Sequence, residues 1–383
     1  MSNTKQFTIL GGGIAGLTAA IALRRLGINA RVFEAAPEVK PVGAGLVLAA
    51  NAIKGYVKLG VAEKIIARGR LLPTFSILDA RGRRIAHADA DAIAQKYGLH
   101  NFAIHRPELH EALLAELDPA QVHVNKSAQQ VEQTGETVTL YFKDGSTHET
   151  DYLVVADGIH SPIRRQLVPG SMPRYAGYTC WRAVTDNPGL TLTGATETWG
   201  PAGRFGIVPL ADNKIYWFAC VNAPQNDPAM RAMQTADLER IFQKFHDPIP
   251  AILRHTPEDS LLWNDIIDLK PIQRFAFGNI VLIGDAAHAT TPNMGQGACQ
   301  AIEDAVILAD ELAAAHDSPA AAFAAFERRR LPRTHYIVNN SWTLGKIAQW
   351  SNPWLVSLRN GLFRLIPESA NERQLKTVLE VDF

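Results

Sequence analysis

The stretch FTILGGGIAGLTAAIALRRLGINARVFEA, Phe7–Ala35, decides the fold. Phe7 to Leu10 is a short apolar run of strand character. Gly11-Gly12-Gly13-Ile14-Ala15-Gly16 is a turn with G-x-G-x-x-G spacing, Ile14 to Leu26 has helical periodicity, and Ala30 to Ala35 is extended again. Gly27 stands where a helix C-cap belongs. Strand, glycine turn, helix and strand make a βαβ unit of the kind that opens a doubly wound α/β fold. Gly11 permits the tight turn, Gly13 lets the backbone approach a pyrophosphate, and Gly16 lets helix and strand pack closely. The helix N-terminus, with Ala15 in its first turn, favours negative charge. Glu34, closing the second strand beside Ala35, can accept both hydroxyls of an adenosine ribose. A free ribose 2′-hydroxyl suits FAD or NAD better than NADP. The competing reading is a structural turn and a surface glutamate.

Two further motifs lie outward from this unit. Asp157-Gly158-Ile159-His160-Ser161 follows the apolar run Leu153–Ala156, and Ser161 with Pro162 reads as an N-cap and first helical residue, again aiming a helix N-terminus at bound phosphate. Gly284-Asp285-Ala286-Ala287-His288 follows the strand Ile280–Ile283, and Pro292-Asn293-Met294-Gly295-Gln296-Gly297-Ala298 leads into a long helix from near Gly295 through Glu303 to Ala315. A carboxylate at a strand's end, such as Asp285, can bind a polyol, and the glycines permit backbone contact with a flat ring. His288 is equally compatible with a structural hydrogen bond and with cofactor contact.

Composition sets the frame. A chain of 383 residues exceeds one ordinary core, so two packed domains are expected. Thirty-eight basic side chains balance 38 acidic ones, which gives no footprint for nucleic acid. Cys180, Cys220 and Cys299 are odd in number and lack metal-ligand spacing, so they read as free thiols in the cytoplasm. The short polar start, Met1 to Phe7, leaves no room for a signal peptide, and no apolar stretch reaches the ~18 residues of a membrane span. Trp342, Trp350 and Trp354 are compatible with an interfacial helix, but packing across a domain boundary is the preferred reading. Asp144-Gly145 predicts a hairpin between Val138–Phe142 and Thr147–Val155, and a helix is expected around Ala236–Phe245.

The three motifs together, above all GDAAHATTPNMGQGACQAIEDA at Gly284 to Ala305, resemble the class A flavoprotein aromatic hydroxylases. That family includes p-hydroxybenzoate, salicylate, 6-hydroxynicotinate and urate hydroxylases, tetracycline-inactivating monooxygenases and zeaxanthin epoxidases. The resemblance implies an FAD-dependent monooxygenase that uses NADH or NADPH and O2 to hydroxylate or epoxidise a small aromatic or polycyclic molecule through a flavin C4a-hydroperoxide. An oxidase, dehydrogenase or reductase of the same fold is the alternative, and a non-catalytic FAD-binding protein is a remoter one. By position, the resemblance implies that Glu34 binds the FAD ribose, that Gly43-Ala44-Gly45 lies beside the flavin, and that Arg106 contacts the pyrophosphate or ribityl region. It implies too that Asp157-Gly158 serves FAD and the passing nicotinamide dinucleotide, that Asp285 holds the ribityl chain, and that Pro292 and Gly295, Gln296, Gly297 and Ala298 line the ring. Ala50 precedes Asn51 where family members often have proline, which puts the local turn in doubt.

No separate catalytic side chain or metal is assigned. Arg182, Arg204, Tyr178 and Tyr216 fall on middle-region strands. Arg204 and Tyr216 are the preferred substrate contacts, the competing readings being a salt-bridged arginine and a core tyrosine. The expected architecture is a Rossmann-like, doubly wound FAD-binding domain (1–70, 101–170 and 276–330) interrupted by a β-sheet substrate domain (71–100 and 171–275), with a helical C-terminal segment (331–383). A small-molecule substrate, no nucleic-acid partner, no stable membrane anchor, and a monomer or weak homodimer are expected.

Overall fold

The computed structural model describes residues 5–38, 43–89, 101–315, 318–367 and 376–383. Parts of the expected boundaries, at 1–4, 90–100 and 368–375, therefore lie outside the described residues. The first sheet has six strands in the order 276–277, 280–282, 152–155, 7–10, 31–33, 122–123. It is parallel except for the outermost pair, with Ile9 beside Val154 and Val154 beside Val281. Helices pack on one face and a three-stranded antiparallel sheet on the other, where Phe33 meets Phe142 and His148, so its central strands are continuous buried runs rather than alternating ones. This explains one departure from expectation. Thr147–Val155 is not a single strand: Thr147–Thr150 alternates and stays in a three-stranded antiparallel sheet, whereas Tyr152–Val155 enters the parallel sheet. Asp151 marks the break, its carboxylate accepting from the Gln6 amide at 2.7 Å.

Helices packed around the sheets include α1 (Ile14–Arg25), α2 (Ala50–Lys58), α3 (Gly297–Ala314), α4 (Pro319–Ala348) and α5 (Pro353–Arg364). Gly27 closes α1 at φ +77°, as its position predicts. A Cβ on Gly16 would lie 1.9 Å from the Gly11 carbonyl oxygen, so only glycine lets α1 sit this close to its strand. The helix expected near Gly295 begins two residues later, because Gly295 is left-handed at φ +62°.

A seven-stranded mixed sheet forms the second layer, in the order 262–269, 173–186, 214–222, 203–209, 195–200, 74–79, 84–89. Its outer face, carrying Trp181, Phe205 and Trp217, packs beneath the helices Thr235–Phe242 and Ile249–His255. Its inner face, carrying Val208 and Tyr216, meets Ala44, Leu72 and Ala103 of a small antiparallel sheet made by Gly45–Leu48, Asn101–His105 and Arg70–Leu72. Trp342 packs against this second layer, under the Arg174 guanidinium at 3.7 Å. Trp354 departs from the expected packing and is 85% exposed, because it projects from the outer side of α5.

A buried ionic cluster fastens the C-terminal helices. Arg330 of α4 donates to Asp304 Oδ1 and to Glu303 Oε2 of α3, both at 2.6 Å, and all three side chains are sealed from solvent. Arg333 adds a second guanidinium on Glu303. Replacing Arg330 by Met leaves two buried carboxylates short of a counter-charge. A loss of about 3–5 kcal/mol in denaturant unfolding is expected, and a change within the scatter of surface mutants would refute this role for Arg330.

Candidate functional site

The sequence motifs converge because four adjacent parallel strands all end on the same edge of the first sheet. Gly11 follows Leu10, Glu34 follows Phe33, Asp157 follows Val155 by two residues, and Gly284 follows Leu282 by two. In doubly wound folds this carboxyl edge, at the point where strand order reverses, is where ligands bind. Gly11 is held at φ +108°, and a Cβ there would lie 2.3 Å from the Ala156 carbonyl oxygen. Gly13 differs, since a Cβ there would meet nothing within 4 Å. It borders open space in front of α1, whose first turn has no side-chain cap and no acidic residue. Those free N–H groups, Ala15 among them, and the positive end of the helix dipole form an anion site.

Glu34 is oriented by backbone: its Oε2 accepts from Gly12 N at 2.6 Å and its Oε1 from Ala36 N at 2.8 Å, next to Ala35. Each oxygen keeps a lone pair for a hydroxyl donor. His110, which the motifs do not reveal, donates from Nε2 to the Gly12 carbonyl at 2.7 Å. Burial lowers its basicity, and its buried Nδ1 has no partner among the described residues. Arg106 is exposed and makes no ion pair among the described residues. Its Cδ would lie 2.7 Å from a Cβ on Gly43, and its amide donates to the Ala44 carbonyl.

Asp157 is the most unusual group here. Neither carboxylate oxygen has a hydrogen-bond partner among the described residues, although both are buried. Burial raises its pKa to about 6, and Ser161 and the Arg164 and Arg165 guanidiniums pull the other way without prevailing. An orphaned buried acid next to Gly158, where a Cβ would meet nothing within 4 Å, is an unfilled acceptor site. Asp285 opens the short helix Asp285–His288 and is exposed at its N-terminus. His288 has a structural role: its Nε2 lies 2.6 Å from Asp304 Oδ2, which also accepts from Gly284 N at 2.7 Å. The turn Pro292–Met294 then leads through Gly295 and Gln296 to α3, whose N-terminus, with Gly297 and Ala298, is likewise without a side-chain cap or acidic residue. No group of three or more His, Cys, Asp or Glu residues able to hold a metal occurs among the described residues.

The inner face of the seven-stranded sheet stands opposite. Arg204 is buried and committed, donating to Glu197 at 3.0 Å, to Gln349 at 2.8 Å and to Asn293 Oδ1 at 2.8 Å. Asn293 also accepts from the Tyr178 hydroxyl and donates to Thr291 and to the Ser341 carbonyl, tying the glycine-rich loop to this sheet and to α4. Asn293 lies inside the Pro292–Ala298 motif, where proline and glycines carry the signal instead, and Glu197 has no sequence signal. Tyr216 is buried, and burial pushes its phenol well above the usual range while the Arg182 guanidinium pulls the other way. Its hydroxyl makes no hydrogen bond among the described residues, and Arg182 makes no ion pair there; its interactions run to the Cys180 thiol and the Tyr216 phenol.

The Asp157 environment has a measurable signature in the cofactor-free protein. The folded carboxyl titrates near 6 and the unfolded one near 3.8, so the cost of burying its charge grows as pH rises between them and is complete above about 6. Asp157→Asn is expected to stabilise the cofactor-free chain by roughly 1–3 kcal/mol above that range, the gain vanishing below about pH 4. Denaturant melts across pH measure this, and a pH-independent difference would contradict it.

Comparison with known proteins bears on this arrangement. A protein family described as FAD binding domain matches residues 4–341. Aurachin C monooxygenase/isomerase of Stigmatella aurantiaca is 37% identical over 359 residues, covering 94% of this chain and 93% of that protein. 2-Heptyl-3-hydroxy-4(1H)-quinolone synthase of Pseudomonas aeruginosa is 32% identical, covering 95% of each. The crystal structure of Klebsiella pneumoniae HpxO complexed with FAD and uric acid superposes with a TM-score of 0.91 at 28% identity, covering 99% of this chain and 98% of that one.

Proposed function

The chain belongs to the FAD binding domain family and is an FAD-dependent monooxygenase of the aromatic-hydroxylase type, and from that premise we propose that it oxygenates a fused, nitrogen-containing aromatic ring of the 4-quinolone class. The substrate class rests on the Pseudomonas aeruginosa relative, a synthase of 2-heptyl-3-hydroxy-4(1H)-quinolone. In the overall reaction NADH or NADPH gives two electrons, one atom of O2 enters the substrate and the other leaves as water. A cytoplasmic monomer or weak homodimer is part of the same proposal. All three cysteines are free, and no helix of the described residues is long and apolar enough to cross a membrane.

The observation that carries the cofactor assignment is the orphaned Asp157 carboxylate beside glycines whose missing Cβ atoms leave open space. The residues present fit FAD. In this reading Gly11, Gly13, Ala15 and Gly16 and the first turn of α1 take the pyrophosphate, and Glu34 with Ala35 takes the adenosine ribose. Arg106 supplies counter-charge, Gly43 and Ala44 border the ring, and Asp157 accepts a cofactor donor. Gly158 leaves passage for the nicotinamide dinucleotide, and Asp285 accepts from the ribityl hydroxyls. Pro292, Gly295, Gln296, Gly297 and Ala298 place the positive end of α3 against the ring edge, which favours a negative charge there. When bound, FAD supplies hydride acceptance and O2 activation.

The remaining work falls to side chains facing the substrate. Tyr216, kept protonated by burial, and Arg182, a cation without a carboxylate among the described residues, offer donors to an oxygen of the substrate ring. An ionised hydroxyl or enolised carbonyl held there makes the adjacent ring carbon electron-rich, as oxygen insertion requires. Arg204 acts in the same wall through Asn293, fixing the loop that borders the ring. Closure between sheet and loop keeps water out, which protects the reaction from loss as hydrogen peroxide.

The decisive experiment incubates the purified yellow protein with NADH or NADPH, a panel of 4-quinolones and isotopically labelled O2. Label in the product and substrate-stimulated flavin reduction are expected; reduction without label incorporation would replace the monooxygenase with an oxidase. Gly13→Val is expected to fold with an unchanged cofactor-free melting temperature yet purify without flavin, since its side chain occupies only the open space before α1. Arg182→Met should retain flavin but raise KM for an ionisable substrate by about 10- to 100-fold, the size of a lost charged hydrogen bond. Unchanged kinetics would remove Arg182 from the substrate site.

A further inference from the structure

Helix α5 is apolar on both sides. Its inner side is used: Phe363 meets the Trp199 ring edge-on at 5.4 Å, Arg359 lies over the same ring and donates to the Ala348 carbonyl, and Val356 is buried. Its outer side carries Trp354, Leu355, Leu358 and Leu362, continued by Leu365 and Ile366, all exposed, with Trp354 at 85% and Leu365 at 77%. At about 100° per residue these six side chains fall within one arc of roughly 120°. Scattered exposed leucines need no explanation, but six large side chains on one arc mark a contact surface.

The surroundings say what covers it. No residue of α5 is acidic, and its charged residues are Arg359 and Arg364. Arg364 sits at the end of the helix and donates to the Arg84 carbonyl and to Asp79, which brings the turn bearing exposed Arg81, Arg83 and Arg84 alongside. Four guanidiniums therefore stand at the C-terminal end of the apolar arc against the carboxylate of Asp79. This cationic rim is local, because the chain as a whole is neutral. A tryptophan at one end, a row of leucines and a rim of arginines match the interfacial zone of an anionic bilayer, where apolar side chains enter the acyl boundary and guanidiniums remain with the phosphates.

We propose that the outer face of α5, with the arginine-rich turn beside it, is a peripheral docking surface for anionic lipid bilayers. The contact is interfacial and reversible, in keeping with the absence of any membrane-crossing helix among the described residues. It is independent of the substrate assignment, since none of these side chains faces the cofactor edge.

The test is co-sedimentation of the flavin-loaded full chain with vesicles of phosphatidylcholine containing phosphatidylglycerol, against vesicles of phosphatidylcholine alone. Binding to the anionic vesicles that weakens with added salt is expected. Trp354→Ser, Leu358→Ser and Leu362→Ser should each weaken it about tenfold, the scale of losing one buried apolar side chain. Arg81→Gln with Arg84→Gln should reduce binding to the anionic vesicles alone. Flavin content and turnover with a water-soluble substrate serve as the folding control and should not change in any variant. Failure of the wild-type protein to sediment with either vesicle overturns the proposal. So does a concentration-dependent dimer in analytical ultracentrifugation that Leu358→Ser dissolves, since the face would then belong to a second copy of the chain.

Discussion

One buried cation governs the geometry of the cofactor edge. Arg330 bridges Glu303 and Asp304, Arg333 adds a second positive charge at Glu303, and each carboxylate does further work with its remaining oxygen contacts. Asp304 holds the Gly284 amide and His288, fixing the bend that presents Asp285. Glu303 receives Asn51 of α2, and the same Asn51 amide donates to Gln296, the residue just before α3. Without a full counter-charge these acids could not stay ionised in a dry interior, and the loop between strand 280–282 and α3 would lose its anchors. The glycine-rich segment is therefore positioned from behind, by groups that need not touch a ligand.

A second set of polar contacts ties the two layers together. Asn293 belongs to the loop bordering the cofactor edge, yet its side chain accepts from Tyr178 and Arg204 on the seven-stranded sheet and donates to α4. Arg204 in turn rests on Glu197 and Gln349. Loop, sheet and C-terminal helix thus share one hydrogen-bonded junction, and a ligand that alters the sheet acts directly on the loop. The Arg182 and Tyr216 side chains lie outside this junction.

The backbone side of this organisation was legible in the sequence, and the polar junctions were not. Gly11, Gly16 and Gly27 mark themselves because a left-handed turn or a close helix crossing excludes every other residue, a demand that is local and visible in the spacing. The parallel sheet was legible for a similar reason, since runs such as Ile280–Leu282 are buried on both sides. Reading Thr147–Val155 as one strand failed because only the change of partner at Asp151 distinguishes its halves. Glu197 and Arg330 gave no sign, because a charged residue in an alternating strand or a long helix reads as solvent-facing until its distant partner is known. Trp354 misled in the opposite direction: its size suggested burial, and the structure exposes it.

The register of the first sheet bears on how the molecule is made. Its three central strands stand side by side at Ile9, Val154 and Val281. In a nascent chain the strand bearing the first glycine turn gains both neighbours, 31–33 and 152–155, before half of the chain is made, whereas 152–155 lacks its second partner until strand 280–282 is released. Such distant pairings are slow to form because their loops must close first. The Gly284–Ala298 side of the cofactor edge is accordingly the last part of that edge to be made. The incomplete chain exposes the apolar edge of strand 152–155 throughout that interval, a surface open to wrong pairing.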